Sequence, residues 1–222
     1  MTPRVVIVSA PSGTGKTTIT RKLVEEHPDK YAISVSATTR KPRTGETNGQ
    51  AYHFMDRQEF ERWKRAGRFL ETAEYAGEWY GTPKSEIDRI LGSGRHALLD
   101  IEVVGAEQIR KSWQGDNLVT VFVLPPSVQV HVARLQGRGT ETVAQQDARL
   151  ERAQNELRYS SAFDHVLVND ELDRAVASLR EIVEQGRGPE RDVPQLTKRI
   201  DEYATGLQAA RAQLYTQSKG KN

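Results

Sequence analysis

The chain has 222 residues, and its 32 lysine and arginine residues nearly balance 30 aspartate and glutamate residues, for a net charge of +2. This balance lacks the basic excess of a nucleic-acid-binding protein, so we expect no nucleic-acid partner and a local site for any bound anion. The chain contains no cysteine, which excludes disulfide bonds, thiolate zinc sites and a cysteine nucleophile.

The predicted elements alternate between short β-branched runs and longer stretches of helical period. This pattern is typical of an α/β protein with a mostly parallel sheet. The predicted core strands are 4–9, 97–101, 119–124 and 165–168. The predicted helices are 15–26, 104–111, 127–135, 143–159 and 172–185. We therefore expect a P-loop NTPase-type parallel sheet flanked by helices.

Two segments interrupt the alternation. Residues 36–92 are rich in threonine, arginine, glycine and aromatic residues, with short strand-like pieces and one helical piece at 56–66. We interpret them as an insertion over the ligand end of the sheet. Residues 134–150 contain Gly137, Arg138 and Gly139 and are predicted to form a short lid. The predicted core is then 1–35, 93–133 and 151–185.

Residues 186–222 form a predicted linker and C-terminal helical extension. After GRGPERDVP, apolar residues recur at alternating spacings of four and three, at Leu196, Ile200, Tyr203, Leu207, Ala210 and Leu214. One interpretation is a self-association seam that makes a homo-oligomer. The other is a helix that packs on its own domain or frays, since about three heptads are short for a coiled coil.

Apolar runs elsewhere in the sequence are short. The N-terminal run is shorter than the apolar region of a signal peptide, and no stretch of about 18 apolar residues could span a bilayer. We expect a cytoplasmic protein with no membrane partner.

The strongest motif is a glycine-rich turn between a predicted strand and a predicted helix. It fits the P-loop pattern except that Ala10 replaces the first glycine. Gly13 and Gly15 would let successive amides face phosphates, while Lys16 adds charge and the Thr17 hydroxyl can ligate Mg²⁺. The predicted ATP-binding residues are Ala10, Pro11, Ser12, Gly13, Thr14, Gly15, Lys16, Thr17 and Thr18.

A second phosphate site is predicted in the insertion. Arg40 and Arg43 flank a proline, and the hydroxyls of Tyr52 and Tyr80 follow downstream. Two guanidinium groups and two hydroxyls can surround one dianionic phosphate. The alternative for this segment alone is a solvated basic loop with structural tyrosines.

The motifs together closely resemble guanylate kinase, over roughly residues 4–185. The motifs that carry this resemblance are SAPSGTGKT, SVSATTRKPR, YHF, FLETAEYAGEWYGT, LLDIE, GRGTE and VND, in this order. The resemblance implies transfer of the γ-phosphoryl group of ATP to GMP, and to dGMP as well, with Mg²⁺ as cofactor. It also implies a role in purine nucleotide metabolism and GMP recycling.

The resemblance assigns the acceptor residues. Arg40, Arg43, Tyr52 and Tyr80 would hold the GMP phosphate, whereas Ser36, Glu71 and Thr82 would read the guanine. A carboxylate can accept from the N1–H and N2–H₂ edge of guanine, which adenine lacks. The other predicted acceptor residues are acidic and lie at the end of a core strand: Asp100, also a predicted metal ligand with Thr17, and Glu102. For both, the alternative is a strand-end carboxylate that caps the next helix.

The resemblance also assigns residues to the triphosphate. Arg134, Arg138 and Arg149 would close over it and, with Lys16, Arg40 and Arg43, stabilise the charge that develops during transfer. Arg138, Asn169 and Asp170 would lie on the adenine side. Where many family members have glutamine, this chain has Val104, which puts one local polar contact in doubt.

Two other functions remain open at this point. A kinase-like binding module would keep the acceptor fold but lose phosphotransfer, yet Lys16, Thr17 and the lid arginines are present. The second alternative is an enzyme of the same fold that phosphorylates another acceptor. The presence of both Ser36 and Glu71 argues against it.

Overall fold

The structure is a computed structural model that describes residues 2–75, 77–136, 142–185 and 193–219. The strands are β1 (Val5–Ser9), β2 (Tyr31–Ile33), β3 (Ala37–Thr38), β4 (His53–Phe54), β5 (Phe69–Tyr75), β6 (Glu78–Pro83), β7 (His96–Asp100), β8 (Leu118–Leu124) and β9 (His165–Val168). The helices are α1 (Lys16–Glu26), α2 (Arg57–Arg65), α3 (Lys84–Gly92), α4 (Val103–Ser112), α5 (Val128–Gln136), α6 (Val143–Leu157), α7 (Leu172–Gln185) and α8 (Val193–Lys219).

A five-stranded sheet has the strand order β2-β7-β1-β8-β9. β2 pairs with β7 and β8 pairs with β9, both in parallel. Every residue of β1 is buried, as are the first four of β7 and the last six of β8. Parallel strands covered on both faces read as continuous apolar runs, which is why the sequence reveals them. The α/β prediction is confirmed.

A four-stranded sheet, β4-β3-β6-β5, is formed within the predicted insertion. β6 is antiparallel to both β3 and β5, whereas β3 and β4 are parallel. Ala37, Phe60 and Phe69 form a buried cluster, and Met55, Trp63 and Trp79 pack against it. These two tryptophans therefore contribute to packing.

The predicted boundaries hold for most elements, and two elements were missed. β9 and α7 coincide with predicted segments, whereas α6 ends two residues before the predicted end and a 3₁₀ turn follows at Ser160–Ala162. β2 has three residues, too few to show periodicity, and it is specified by pairing with β7. The insertion contains a second helix, α3, whose start at Lys84 has no side-chain cap to signal it.

The described chain divides into two compact units. One contains Met1–Ile7 and Leu23–Val119, and the other contains Val8–Lys22 and Thr120–Asn222. The predicted division into core, insertion and lid stays a prediction. No helix of the described segments is long and apolar enough to cross a bilayer.

The predicted lid begins on α5 and ends on α6. Its central residues Gly137, Arg138 and Gly139 lie outside the described residues. α6 starts with a capping box in which the Thr142 hydroxyl accepts from the Gln145 amide and the Gln145 side chain accepts from the Thr142 amide. This reciprocal pair satisfies amides that the first helical turn leaves without partners.

Helix α8 packs against α5 and α6 of its own chain. Tyr203, Leu207 and Leu214 from the predicted apolar stripe are buried there. The structure therefore favours the intramolecular alternative for this stripe. The predicted homo-oligomer stays a prediction.

Candidate active site

The turn between β1 and α1 has the backbone geometry that the P-loop motif predicts. Gly13 and Gly15 adopt φ values of 83° and 93°, a left-handed conformation that glycine tolerates without strain. Within the turn, the Thr14 hydroxyl donates to the Pro11 carbonyl at 2.7 Å. Helix α1 then begins at Lys16, so Lys16 and Thr17 occupy its first turn. The predicted strand–turn–helix context is confirmed.

Two predicted ATP-site residues contact the carbonyl oxygen of Thr14. Asn169 Nδ2 donates to it at 2.7 Å, and Arg134 Nη1 donates to it at 3.1 Å. A Cβ at Gly15 would lie 2.6 Å from Asn169 Nδ2, so this close approach also requires glycine. The structure thus brings Arg134 and Asn169 to the predicted phosphate-binding loop.

Two residues that the sequence did not reveal contact the loop at Ser12. The Ser12 amide donates to Glu156 Oε2 at 3.2 Å, and His131 Nε2 lies 2.7 Å from the Ser12 carbonyl oxygen. Because a carbonyl only accepts, Nε2 carries the proton in this contact. Neither residue belongs to a recognisable motif. Their roles depend on the packing of α5 and α6 beside the loop.

Arg149 and Asp170, two other residues predicted for the ATP site, have local partners. Arg149 Nη1 donates to the Leu135 carbonyl at 2.9 Å, which ties α6 to the last turn of α5. Asp170 pairs with Arg174 one turn along α7, and its carboxylate also accepts from the Glu171 amide. Arg138 lies outside the described residues, so its predicted role stays a prediction.

In the other unit, the acceptor segment brings three of the predicted phosphate ligands together. The Arg40 guanidinium lies 5.3 Å from the centroid of the Tyr52 ring, and the Tyr52 and Tyr80 ring centroids are 5.9 Å apart. Burial raises the pKa of the Tyr52 hydroxyl, with the neighbouring Tyr80 and Asp100 adding to the shift. The Tyr52 hydroxyl is therefore a neutral donor at physiological pH.

Glu46 organises the two arginines and was not predicted. Its Oε1 accepts from Arg40 Nη2 at 2.9 Å, and its Oε2 accepts from the Arg43 amide at 2.8 Å. The hydrogen bond to Glu46 raises the pKa of Arg40. Glu46 follows Arg43 by only three residues, and a turn between Arg43 and Glu46 permits both contacts. The side chain of Arg43 itself is exposed.

Glu71 and Thr82 form a buried pair on the neighbouring strands β5 and β6. Glu71 Oε1 accepts from the Thr82 hydroxyl at 2.8 Å, and the two residues are 6% and 0% exposed. Burial raises the pKa of Glu71 to about 7; the hydrogen bonds from Thr82 oppose this shift and the charge of Glu102 adds to it. A buried carboxylate with unused acceptor capacity suits a ligand that presents paired N–H donors.

The other predicted acceptor residues occupy strand ends and helix starts. Ser36 precedes β3, and its carbonyl accepts from the His53 amide at 2.9 Å. Asp100 ends β7 and is half-buried. Glu102 occupies the N-cap position of α4, but its side chain makes no capping hydrogen bond. The helix-cap alternative for Glu102 is therefore not supported.

Helix α4 supports Glu71 through residues that sequence reasoning missed. A Cβ at Gly105 would lie 2.7 Å from Glu71 Oε2, so only glycine leaves room for this carboxylate. Gln108 holds α4 to β5 by donating to the Thr72 carbonyl at 3.0 Å and accepting from the Thr72 amide at 3.2 Å. Val104 is 48% exposed, so its substitution for glutamine leaves an apolar side chain at the surface.

Comparison with known proteins decides the family. The family model described as guanylate kinase matches residues 2–186. The chain belongs to the guanylate kinase family. A guanylate kinase of Nitratidesulfovibrio vulgaris is 47% identical over 190 residues, covering 84% of this chain and 89% of that protein. Another from Synechocystis is 41% identical over 180 residues, covering 81% and 93%.

A solved structure agrees with this assignment. The crystal structure of guanylate kinase from Anaplasma phagocytophilum superposes with a TM-score of 0.67 at 30% identity and covers 83% of this chain and 86% of that one. Guanylate kinases are ATP:GMP phosphotransferases of purine nucleotide metabolism, and this chain catalyses that reaction. The sequence-based prediction of family, fold class and activity is confirmed. Both alternative functions are set aside.

Proposed function

We propose that this guanylate kinase recognises the guanine of GMP through Glu71, Thr82 and Ser36. The observation that supports this assignment is the buried Glu71–Thr82 pair, with an oxygen separation of 2.8 Å. An ionised Glu71 can accept from N1–H and N2–H₂ of guanine, whereas adenine presents no such pair of donors. A site built around such a group rejects a base that leaves it unpaired by roughly 10⁴-fold.

Arg40, Arg43, Tyr52 and Tyr80 are proposed to bind the phosphate of GMP. Arg40 is held by Glu46 and lies against the Tyr52 ring, so its orientation is fixed before the substrate arrives. Prior fixing of a side chain lowers the entropic cost of binding. Asp100 and Glu102 are proposed to complete the acceptor site from the end of β7, as the sequence predicts.

The loop from Ala10 to Thr18 is proposed to bind the phosphates of ATP. Its left-handed glycines at 13 and 15 and the start of α1 give it the form of an anion site. Lys16, Arg134 and Arg149 would neutralise the triphosphate, and a guanidinium carries five N–H donors, so Arg134 can hold Thr14 while binding phosphate. Arg138, Asn169 and Asp170 are proposed for the adenine side.

We propose Mg²⁺ as the cofactor. The described residues contain no group of three or more histidine, cysteine or acidic residues placed to hold a metal ion. This fits Mg²⁺, which keeps several waters and binds through few protein ligands together with substrate phosphates. Thr17 is exposed in the first turn of α1, and Asp100 is an acidic residue at a strand end. When bound, the ion would neutralise charge on the β- and γ-phosphates.

The chemistry is in-line displacement at phosphorus. A phosphate oxygen of GMP forms a bond to the γ-phosphorus of ATP while the bond from that phosphorus to the β-bridging oxygen breaks, which gives GDP and ADP. The protein forms no covalent intermediate, and its contribution is positioning and charge stabilisation. The proposed cations for this step are Lys16 and the arginines at 40, 43, 134, 138 and 149. Since no residue is assigned to the ribose 2′-hydroxyl, dGMP is a proposed second acceptor.

Kinetics resolved for each substrate test these assignments. We expect Arg40→Ala to raise the KM for GMP by about 30-fold or more, as truncation of one partner of a charge pair costs about 2 kcal/mol at least. Its KM for ATP should stay within about twofold, and Lys16→Ala should instead impair ATP use. Arg62→Ala, at an exposed helical site, serves as the control. A KM for GMP that is unchanged in Arg40→Ala would refute the assignment.

A further inference from the structure

Helix α8 lies beyond the part of the chain that the family accounts for. The family match ends at residue 186, and α8 spans Val193–Lys219. The family therefore assigns no role to it. It packs against α5 and α6, the helices on which the predicted lid begins and ends.

The contact between α8 and α5 is unusually close at one glycine. A Cβ at Gly206 would lie 2.7 Å from Val128 Cγ2 on α5, so glycine permits this approach. Beside it, the Tyr203 hydroxyl lies 3.4 Å from the Ser127 carbonyl, and Arg199 donates to the Pro126 carbonyl at 3.2 Å. These contacts fix the turn that leads into α5.

The contact between α8 and α6 is a half-buried ion pair. Arg211 Nε and Nη2 donate to the two carboxylate oxygens of Asp147 at 2.7 and 3.1 Å, and Glu151 lies 3.5 Å from Nη2. A two-point pair of this kind fixes orientation as well as distance. Helix α8 therefore holds both α5 and α6.

His131 connects this packing to the phosphate-binding loop. It lies on α5 and is completely buried, with its ring centroid 5.8 Å from that of Tyr203. Its Nε2 donates to the Ser12 carbonyl at 2.7 Å. Burial lowers the pKa of His131, so the ring is neutral and its single proton is committed to this contact. From α6, Glu156 accepts from the amide of the same Ser12.

We propose that α8 is a brace for the ATP site and that His131 is the positioning residue through which it acts on Ser12. Helix α8 packs against α5 and α6, and these two helices contact both the amide and the carbonyl of Ser12. Loss of the brace would let the loop depart from the shape that receives the triphosphate. The effect should fall on ATP binding and leave GMP binding unchanged, because every contact involved belongs to the unit that contains the loop.

Equilibrium titrations of the full-length chain with ATP and with GMP, at a temperature well below unfolding, test the proposal. We expect His131→Leu to raise the Kd for ATP by about 5- to 10-fold, the effect of losing one buried hydrogen bond. His131→Gln should retain much of the affinity, since its amide can donate in place of Nε2. Gly206→Leu should weaken ATP binding although leucine favours helix formation. Lys198→Ala, on the exposed face of α8, should match the wild type.

A double variant distinguishes a brace that acts through His131 from separate effects. If α8 acts through His131, adding Gly206→Leu to His131→Leu should weaken ATP binding little further. Additive effects in the double variant would overturn the proposal. So would a Kd for GMP that rises as much as the Kd for ATP, or a lower melting temperature with an unchanged Kd for ATP in both single variants.

Discussion

The hydroxyl of Thr82 donates to the carboxylate of Glu71 at 2.8 Å, in a position that is closed to solvent. The two side chains come from neighbouring antiparallel strands, β5 and β6. Burial raises the pKa of Glu71 to about 7, so this carboxyl group is part protonated at neutral pH. This relationship links the proposed recognition of guanine with pH dependence and stability.

GMP binding should weaken as pH falls below about 7. Only the ionised form of Glu71 can accept from both N1–H and N2–H₂ of guanine, and below its pKa of about 7 that form declines about tenfold per pH unit. Calorimetric titrations of GMP between pH 5.5 and 8 check this, in steps of about half a unit. The GMP phosphate also titrates, near pH 6. Glu71→Gln keeps the pH dependence that comes from the phosphate and loses the one that comes from the carboxyl group. Identical pH profiles in Glu71→Gln and the wild type would therefore contradict the prediction.

Without GMP, the protein should become less stable as pH rises from about 4.5 to about 7. The folded-state pKa of Glu71 is about 7 and the unfolded value is 4.5, so its contribution is fully present below 4.5 and is lost as pH rises through 7. The resulting change in the free energy of unfolding amounts to about 3 kcal/mol at most. Urea unfolding at pH 5 and pH 8, compared between wild type and Glu71→Gln, measures it. We expect the free energy of unfolding of Glu71→Gln, relative to that of the wild type, to be higher at pH 8 than at pH 5. An equal difference at both pH values would count against this.

Substitution of Gly105 by alanine should impair GMP use without unfolding the protein. The added Cβ would lie 2.7 Å from Glu71 Oε2 and must displace that carboxylate. In a helix, alanine is otherwise favoured over glycine by roughly 0.5–1 kcal/mol. We expect kcat/KM for GMP to fall by about tenfold or more with an unchanged KM for ATP. The matched control is Gly92→Ala in α3, where a Cβ meets nothing within 4 Å. Equal activities in the two variants would refute the role of Gly105.

Removal of the Glu46 carboxylate should raise the KM for GMP. Glu46 holds the Arg40 guanidinium and the Arg43 amide at the same time. Without it, neither group is held in place before GMP binds. We therefore expect the KM for GMP to rise by about 5- to 20-fold in Glu46→Ala, with little change in the KM for ATP. Glu61→Ala, which removes an exposed pair with Arg65 on α2, is the comparison. Initial rates at varied GMP measure the effect, and a KM equal to that of Glu61→Ala would exclude it.

The sequence predicted what is encoded locally or as a continuous motif. Strand β1 and the turn after it are adjacent in sequence, so Gly13, Gly15 and Lys16 could be assigned together. Strand β9 was found as a short β-branched run, and helix α7 was found because its apolar period is clear. These features need no knowledge of distant contacts.

The remaining features depend on long-range packing. His131 reaches Ser12 across 119 residues, and Glu156 reaches it across 144. Neither the spacing nor the residue type signals such contacts. The room that Gly105 leaves for Glu71 likewise depends on how α4 packs against β5. The buried stripe of α8 was visible as a pattern, but its partner helices were not.

The central claim is tested most directly by an assay of ADP release with ATP and Mg²⁺ that compares GMP, dGMP, AMP, CMP and UMP as acceptors. Glu71→Ala and Lys16→Ala are the informative variants, because one removes the proposed guanine ligand and the other the loop cation. The account predicts turnover with GMP and dGMP alone, and its loss in both variants. Turnover with AMP comparable to that with GMP, or undiminished GMP turnover in Glu71→Ala, would contradict it.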